Sequence, residues 1–331
     1  MRVLPHMPAL GRRLRLAFAF VGVGALAPAC TPPQAPPLAS AESGNLVQLG
    51  LSYTRSSASS ATPTPVPTIE AEAHFVRFRA ADRAMDRTVV ASLLGLGNAA
   101  RVDDALAIDA CRSDVGEAAA APSAGAIEVS LLDAGPLTVR TRDASGHPGA
   151  ALARLEAQHY PELFPFVSGV VYGLEATPSS DLLPGARVEI EADGGEDVGP
   201  FLAAASLPSA FPELTVARDA ASGRTELRWL GADAASSATA ASVLIELRWS
   251  GAHPGTLHCR ARDDGRFTIE RAQAPGLDAA LTNVGSPTGQ ASATLSVARS
   301  ARAAMQAPGA GDGTLTVSLR DTVALHGAEQ P

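Results

Sequence analysis

The residues in this chain with chemistry to offer are three cysteines, seven histidines, 34 carboxylates and two tryptophans, and their spacing decides which chemistry is open to them. Nucleophilic catalysis needs a nucleophile within reach of a base, with a third group to orient the base. The sequence holds no GxSxG turn, no HExxH helix, no phosphate-cradling glycine loop and no GxGxxG following a strand. His74, His147, His159, His253, His258 and His326 are scattered, and His258 adjoins Cys259 in a stretch of strand character, where neighbours point to opposite faces. Nor are two carboxylates singled out as a hydrolytic pair, so the expectation is a chain without catalysis. Asp193, Glu196 and Asp197, with Asp181, form an acidic Gly-rich turn that could gather oxygens for Ca²⁺, which takes about six to eight of them. The plainer reading is a solvated hairpin, since the spacing matches no defined calcium loop. No other cofactor is implied. Trp229 and Trp249 would make a stacking platform for sugar rings if they faced solvent, but each shares its parity with Leu or Ile, which reads as core.

The elements that must position these groups are strands. Glu226, Leu227, Arg228, Trp229, Gly231, Ala232 return twenty positions later as Glu246, Leu247, Arg248, Trp249, Gly251, Ala252, and both copies alternate apolar with polar. A third run places Leu257, Cys259 and Ala261 opposite His258, Arg260 and Arg262, and Asp264-Gly265 then reads as a hairpin before Phe267 and Ile269. Four such strands predict one antiparallel meander with a wet face. Further strands are predicted over 45–55, 70–79, 127–132, 137–142, 169–175, 187–191, 201–207, 214–218, 291–298 and 314–319, and helices over 81–96, 149–159 and 272–281. The fold class is therefore mostly β: an antiparallel sandwich, immunoglobulin-like or jelly-roll-like, with two or three short helices. A Gly-rich junction suggests a first domain or half over 44–195 and a second over 196–331, as one large sandwich or two consecutive ones.

The N-terminus reads as an export segment. Arg12, Arg13 and Arg15 form a positive region, and Leu16 to Leu26 an apolar run of eleven, too short to span a bilayer. Residues 1–29 are thus a signal peptide. Ala27, Pro28, Ala29 and Cys30 resemble the lipobox of bacterial lipoproteins, with Pro28 unusual and the family's Leu one place early at Leu26. The resemblance implies an acylated Cys30 as mature N-terminus and anchorage to the membrane. Thr31 at the second position, in place of the Asp that retains such proteins in the inner membrane, implies the outer membrane of a Gram-negative bacterium. A plain secretory peptide, with a secreted or periplasmic product, is the alternative. Residues 30–43 are a Pro/Ala-rich tether. A chain beginning at Cys30 keeps 22 arginines, there being no lysine, against 34 acids, a formal charge of −12, so nucleic acid is not an expected partner.

With Cys30 given to lipid, Cys111 and Cys259 remain. Two readings stand: a disulfide closing a loop of about 148 residues and contributing about 4 to 5 kcal/mol by chain entropy, or two buried thiols. Finally, Tyr160-Pro161, Gly169 with Tyr172, PG before a strand, GGEDVGPF, Pro208 and a cysteine strand leading to DDGRFTI resemble the punctuation of secreted, uncharacterised immunoglobulin-like sandwiches of bacteria. That resemblance implies a fold and no activity. The functional expectation is a non-catalytic, membrane-anchored β-sandwich that binds an unknown protein or glycan partner. The alternative is a secreted carbohydrate-binding or carbohydrate-active module using Trp229 and Trp249.

Overall fold

The structure is a computed structural model and describes residues 42–56, 67–80, 90, 106–113, 127–142, 147–159, 167–177, 182–183, 185–211, 213–219, 221–231, 242–251, 253–282 and 293–325. The signal segment, Cys30, nearly all of the tether, Asp181, the Tyr160-Pro161 corner and all of the 81–96 helix but Val90 lie outside these residues. Among them are seventeen strands: β1 (Glu42–Ser56), β2 (Thr68–Ala80), β3 (Ala110–Ser113), β4 (Ile127–Leu131), β5 (Leu137–Arg142), β6 (Pro148–Leu155), β7 (Gln158–His159), β8 (Val167–Ala176), β9 (Arg187–Ala192), β10 (Phe201–Ser206), β11 (Thr215–Asp219), β12 (Arg224–Arg228), β13 (Ser242–Trp249), β14 (Gly255–Arg262), β15 (Arg266–Ile269), β16 (Ala293–Ala307) and β17 (Gly311–Leu325). A 3₁₀ turn, Arg271–Gln273, and a helix of six residues, α1 (Leu277–Thr282), accompany them.

The protein is mostly β and builds a sandwich. Ten strands form one sheet in the order β3-β14-β13-β16-β17-β1-β2-β4-β8-β7, faced by a four-stranded sheet β10-β9-β5-β6 and a three-stranded sheet β11-β12-β15. Pairing is antiparallel except for β1 with β17 and β4 with β8. The long hairpin β16–β17 runs through the middle of the large sheet, paired over its whole length. Strands from either side of residue 195 interleave there: β1 and β2 lie beside β17, and β3 beside β14.

Two sequence expectations are corrected. The stretch 149–159 is β6 and β7, because β6 pairs antiparallel with β5, with register shifts near Arg140, and this ladder overrides the helix preference of its alanines and leucines. The meander is split between sheets: β13 and β14 belong to the large one, β12 and β15 to the three-stranded one. Asp263-Asp264-Gly265 therefore carries the chain across the core instead of closing a hairpin. Gly265 has φ 92°, and a Cβ there would come 2.8 Å from the Trp229 carbonyl oxygen, so glycine is required at this crossing. Period-2 alternation reports which face of a strand is buried and not which sheet it joins.

The core lies between the sheets. Phe75 on β2 meets Tyr172 on β8 edge-on at 5.9 Å and Phe201 on β10 at 5.6 Å, which seats the four-stranded sheet. At the other end Leu227 and Ile269 of the three-stranded sheet are buried in the same cluster as Ile245, Leu257 and Cys259. Ala and Val make up nearly half of the buried apolar residues and Leu is the commonest type, so the apolar effect, about 0.8 kcal/mol per buried CH₂, is spread over many contacts. A second, smaller cluster of Val76, Phe78, Val129, Leu131 and Val167 sits on the other face of the large sheet with helical Val90.

One position breaks the apolar pattern on purpose-built terms. Arg299 stands on the inward parity of β16, between Val297 and Ala301, and its side chain is 2% exposed. Its Nε donates to Asp263 Oδ2 at 2.8 Å and its NH2 to Asp263 Oδ1 at 2.9 Å, and Asp263 is 3% exposed. The guanidinium also donates to the Ser209 hydroxyl, to the carbonyls of Ser209, Ala210 and Leu230, and lies 4.3 Å over the Phe211 ring. Trp229 Nε1 donates to the same carboxylate at 2.8 Å. Glu189 and Asp321 are deeply buried acids as well; Arg142 donates two 2.7 Å hydrogen bonds to Glu189 across β5–β9.

Two outcomes follow from these ion pairs. Asp263→Ala leaves a buried guanidinium uncompensated and lowers unfolding stability by about 3–5 kcal/mol, whereas Asp263→Asn/Arg299→Met costs well under the sum of its single changes; additive losses in urea titrations would contradict this. The second outcome concerns acid. The Arg142 hydrogen bonds outweigh the effect of burial, with the charges of Arg142 and Arg187 adding to them, and hold the Glu189 carboxyl below its ordinary value of 4.5. A depressed folded pKa means that the contribution is complete above the ordinary value and is lost as pH falls through the folded one. Arg142→Gln should therefore flatten the acid limb of a Tm-against-pH curve.

Candidate binding face

The sandwich hides one face of the large sheet; on the other, the Val76–Phe78 cluster with Val90 covers the β2–β4–β8 end, and strand register shows what the part-exposed remainder, the open face, carries among the described residues. Across its middle run Arg112, His258, Glu246, Ser296, Thr322 and Ser56, each directly opposite the next on β3, β14, β13, β16, β17 and β1. The next row is Ala110, Arg260, Leu244, Ala298, Arg320 and Thr54. Along β16 and β17 the outward positions are mostly hydroxyls: Ser296 bonds to Thr322 at 3.2 Å and Ser300 to Ser318 at 2.9 Å. Each such pair spends one hydrogen bond and leaves further donor and acceptor capacity facing out.

Arginines surround this hydroxyl field. Arg112, Arg248, Arg262 and Arg302 are exposed, and Arg260 and Arg320 half-buried. Arg248 contacts Glu246, whose other oxygen is 3.9 Å from Arg320 NH1; Arg260 donates to the Ser242 hydroxyl and the Leu106 carbonyl; Arg262 is 3.7 Å from Asp109. Among the described residues of β3, β14, β13, β16 and β17 the only acids pointing outward are Glu246 and Asp312, with Asp109 just before β3. The face turns acidic toward β2, where Glu70 and Glu72 stand on the same side. His74 Nε2 lies 3.7 Å from Glu72 Oε2 and its imidazole holds that carboxyl below the ordinary value, against the opposing effect of burial. Gly50 gives the Glu72 side chain its room, since a Cβ there would come 3.0 Å from Glu72 Cγ.

His258, Glu246 and Ser296 are neighbours on this face, yet their order is wrong for a triad. The base must lie between nucleophile and acid, and here the carboxylate is in the middle, contacted by arginine. The face is arranged for contact: arginine forks for anionic oxygens and hydroxyls for polar groups.

The residues singled out from sequence fall elsewhere. Cys111 and Cys259, opposite one another on β3 and β14, form a disulfide (S–S 2.04 Å) that faces inward. The stacking reading of Trp229 and Trp249 is corrected: they are 6% and 3% exposed, Trp229 is edge-on to Phe211, and Trp249 Nε1 donates to the His253 carbonyl at 2.8 Å, so neither indole presents a face to a sugar. Asp193, Glu196 and Asp197 are exposed in the turn between β9 and β10, where Asp197 accepts from the Asp133 amide at 3.0 Å. Among the described residues no three His, Cys, Asp or Glu side chains come together to hold a metal; Asp181 lies outside those residues. Asp133 itself accepts from the Tyr172 hydroxyl, and burial, with that hydrogen bond and charge, raises the Tyr172 pKa. This turn is structural: Asp197 and Val198 amides both donate to the Asp133 carbonyl.

Comparison with protein families and with curated proteins finds no match. Among solved structures the chain is similar to the Fcho1 Mu homology domain of Danio rerio with bound Eps15 peptide, at 9% identity over 86% of this chain and 97% of that chain, with a TM-score of 0.24. At that score the likeness carries no argument about this protein.

The burial of both indoles is open to a direct check. Tryptophan emission of the native protein should be blue-shifted and poorly quenched by acrylamide, and should not respond to neutral glycans; red-shifted, readily quenched emission would return the tryptophans to the surface.

Proposed function

We propose that the protein is an exported lipoprotein, held at the outer membrane of a Gram-negative bacterium by an acyl chain on Cys30, whose β-sandwich binds a partner without chemical turnover. The Cys111–Cys259 bridge carries the reading from the folded part: such a bond persists in oxidising compartments and is rare in a reducing cytosol. The signal segment, the lipobox-like Ala27-Pro28-Ala29-Cys30 and the Pro/Ala tether support it from the sequence. Among the described residues no helix is long and apolar enough to cross a membrane. The open face of the large sheet supports binding over catalysis, because its charged and hydroxyl groups are spread across neighbouring strands and the His258–Glu246–Ser296 neighbourhood on it is in the wrong order for proton relay. The tryptophan-based carbohydrate alternative has lost its platform, since both indoles are core.

Intact mass of the protein purified in detergent from its host's membranes, without reductant, tests the reading. The expected species starts at Cys30, carries acyl mass and resists alkylation at Cys111 and Cys259 until reduced, and the acyl mass disappears in Cys30→Ala. An unacylated chain recovered from the medium would overturn the anchor.

A further inference from the structure

We infer that the open face of β3-β14-β13-β16-β17 is the binding surface for an acidic polysaccharide, with arginines taking its carboxylates and the serine and threonine field taking its hydroxyls. The inference rests on the binding role proposed above and names the partner's chemistry.

Charge is the first argument. The chain carries −8 overall, yet the outward side of these five strands holds Arg112, Arg248, Arg260, Arg262, Arg302 and Arg320 against Glu246, Asp312 and the adjacent Asp109 among the described residues. A basic face on an acidic protein concentrates a polyanion there and repels it elsewhere. The chain has no lysine, so the use of arginine is no argument by itself, but its planar fork does suit carboxylates held bidentately. Shape is the second. The array is a sheet face, in register from β3 to β17, with strands about 4.8 Å apart, and its exposed arginines are spread along it and not gathered round one cavity among the described residues; a linear polymer can lie along such a surface, whereas a small ligand would keep most of its area in water.

The side chains that are missing make the third argument. Leu244 is the one large apolar residue among the outward positions of these strands, none is Phe, Tyr or Trp, and the imidazole of His258 is the single ring. Protein interfaces place aromatic and apolar anchors at their centre, single-stranded nucleic acid is held by stacking on aromatic rings, and neutral sugars stack on them too. What this centre offers is Ser296, Ser300, Ser318 and Thr322, with guanidinium groups at the margins. Hydroxyls beside spaced positive charges complement a polymer that carries hydroxyls beside spaced negative ones.

The test uses the purified, detergent-solubilised protein and three probes, polygalacturonate, dextran and duplex DNA, in affinity electrophoresis at two salt concentrations. Polygalacturonate should retard the protein, more weakly at high salt, and dextran should not. Arg112→Gln/Arg248→Gln/Arg302→Gln should weaken that retardation by about tenfold, while Arg224→Gln/Arg228→Gln/Arg266→Gln, exposed on the three-stranded sheet, should leave it within about twofold. Both variants are surface changes, and unchanged urea midpoints establish that they fold. No retardation by polygalacturonate, equal loss in the two variants, or equal binding of DNA would each overturn the inference, the last by moving recognition from sugar to phosphate. Intact mass of the same preparation reports the anchor independently, so the loss of either reading is visible without the other.

Discussion

The Arg299–Asp263 pair is the constraint on which the rest of the sandwich depends. Taking a guanidinium and a carboxylate out of water costs several kcal/mol per ion, and the attraction between them barely repays it. What the pair supplies is a fixed point. Arg299 belongs to β16, in the middle of the large sheet; Asp263 belongs to the turn that leaves β14 for β15 in the facing sheet; the other groups that Arg299 holds, Ser209, Ala210 and Leu230, come from the chain entering β11 and leaving β12. One buried cation thereby joins three segments to β16: the chain entering β11, the chain leaving β12 and the turn from β14 to β15. Any other docking of the three-stranded sheet would strand a charge in a core otherwise lined by Leu, Ile and Val.

The neighbouring hairpin strand repeats the device. Asp321 faces inward on β17 and accepts two hydrogen bonds, at 2.8 and 2.7 Å, from Arg55 of β1. Asp321 lies opposite Val297, one inward position away from Arg299, but the two charges pair with different elements. A two-residue slip of β16 against β17 would keep every side chain on its proper face, and so would pass the test that hydrophobic patterning applies. It would also bring Arg299 opposite Asp321 and abandon both Asp263 and Arg55. The two ion pairs thus fix a register that alternation alone leaves free, and the parallel placement of β1 beside β17 is tied to the same choice.

These pairs also mark where the sequence stops being readable. Alternation gives most strands and their buried faces, because burial of every second residue is a local consequence of half-exposed β structure. It cannot distinguish β12 from β13, whose near-identical ELRW segments end up in different sheets, each with its Trp inward. Asp263 looked like a turn residue and is one; its second task, neutralising Arg299, is invisible without the partner 36 residues away. Arg299 did leave a trace, as a charge on the apolar parity of Leu295 and Val297. The 149–159 segment misled for the opposite reason: alanine and leucine favour a helix locally, and only the presence of β5 makes the extended form the better one. The candidate face was legible piece by piece, since Arg248, Arg260 and Arg262 all sit on polar parities, but its coherence depends on β3, β14, β13, β16 and β17 being neighbours, which is a fact of topology.

The disulfide joins the question of where the protein lives to the question of what it binds. β3 is an edge strand of four residues with one neighbour, and a ladder that short frays readily. Its Cys111 is bonded to Cys259 directly across the ladder, and the next residue, Arg112, stands outward opposite His258 at the end of the central row. Asp109, just before the strand, donates its amide to the Arg260 carbonyl and accepts from the Arg262 amide, so the same short segment also organises two of the face's arginines. The covalent link is what converts a marginal edge into a fixed border of the array. A chain folded in a reducing compartment would keep its core, which lies between β1, β2, β16, β17 and the facing sheets, but would hold this corner of the binding face only loosely. On the proposed reading, oxidation of Cys111 and Cys259 would complete the surface only where the partner is met.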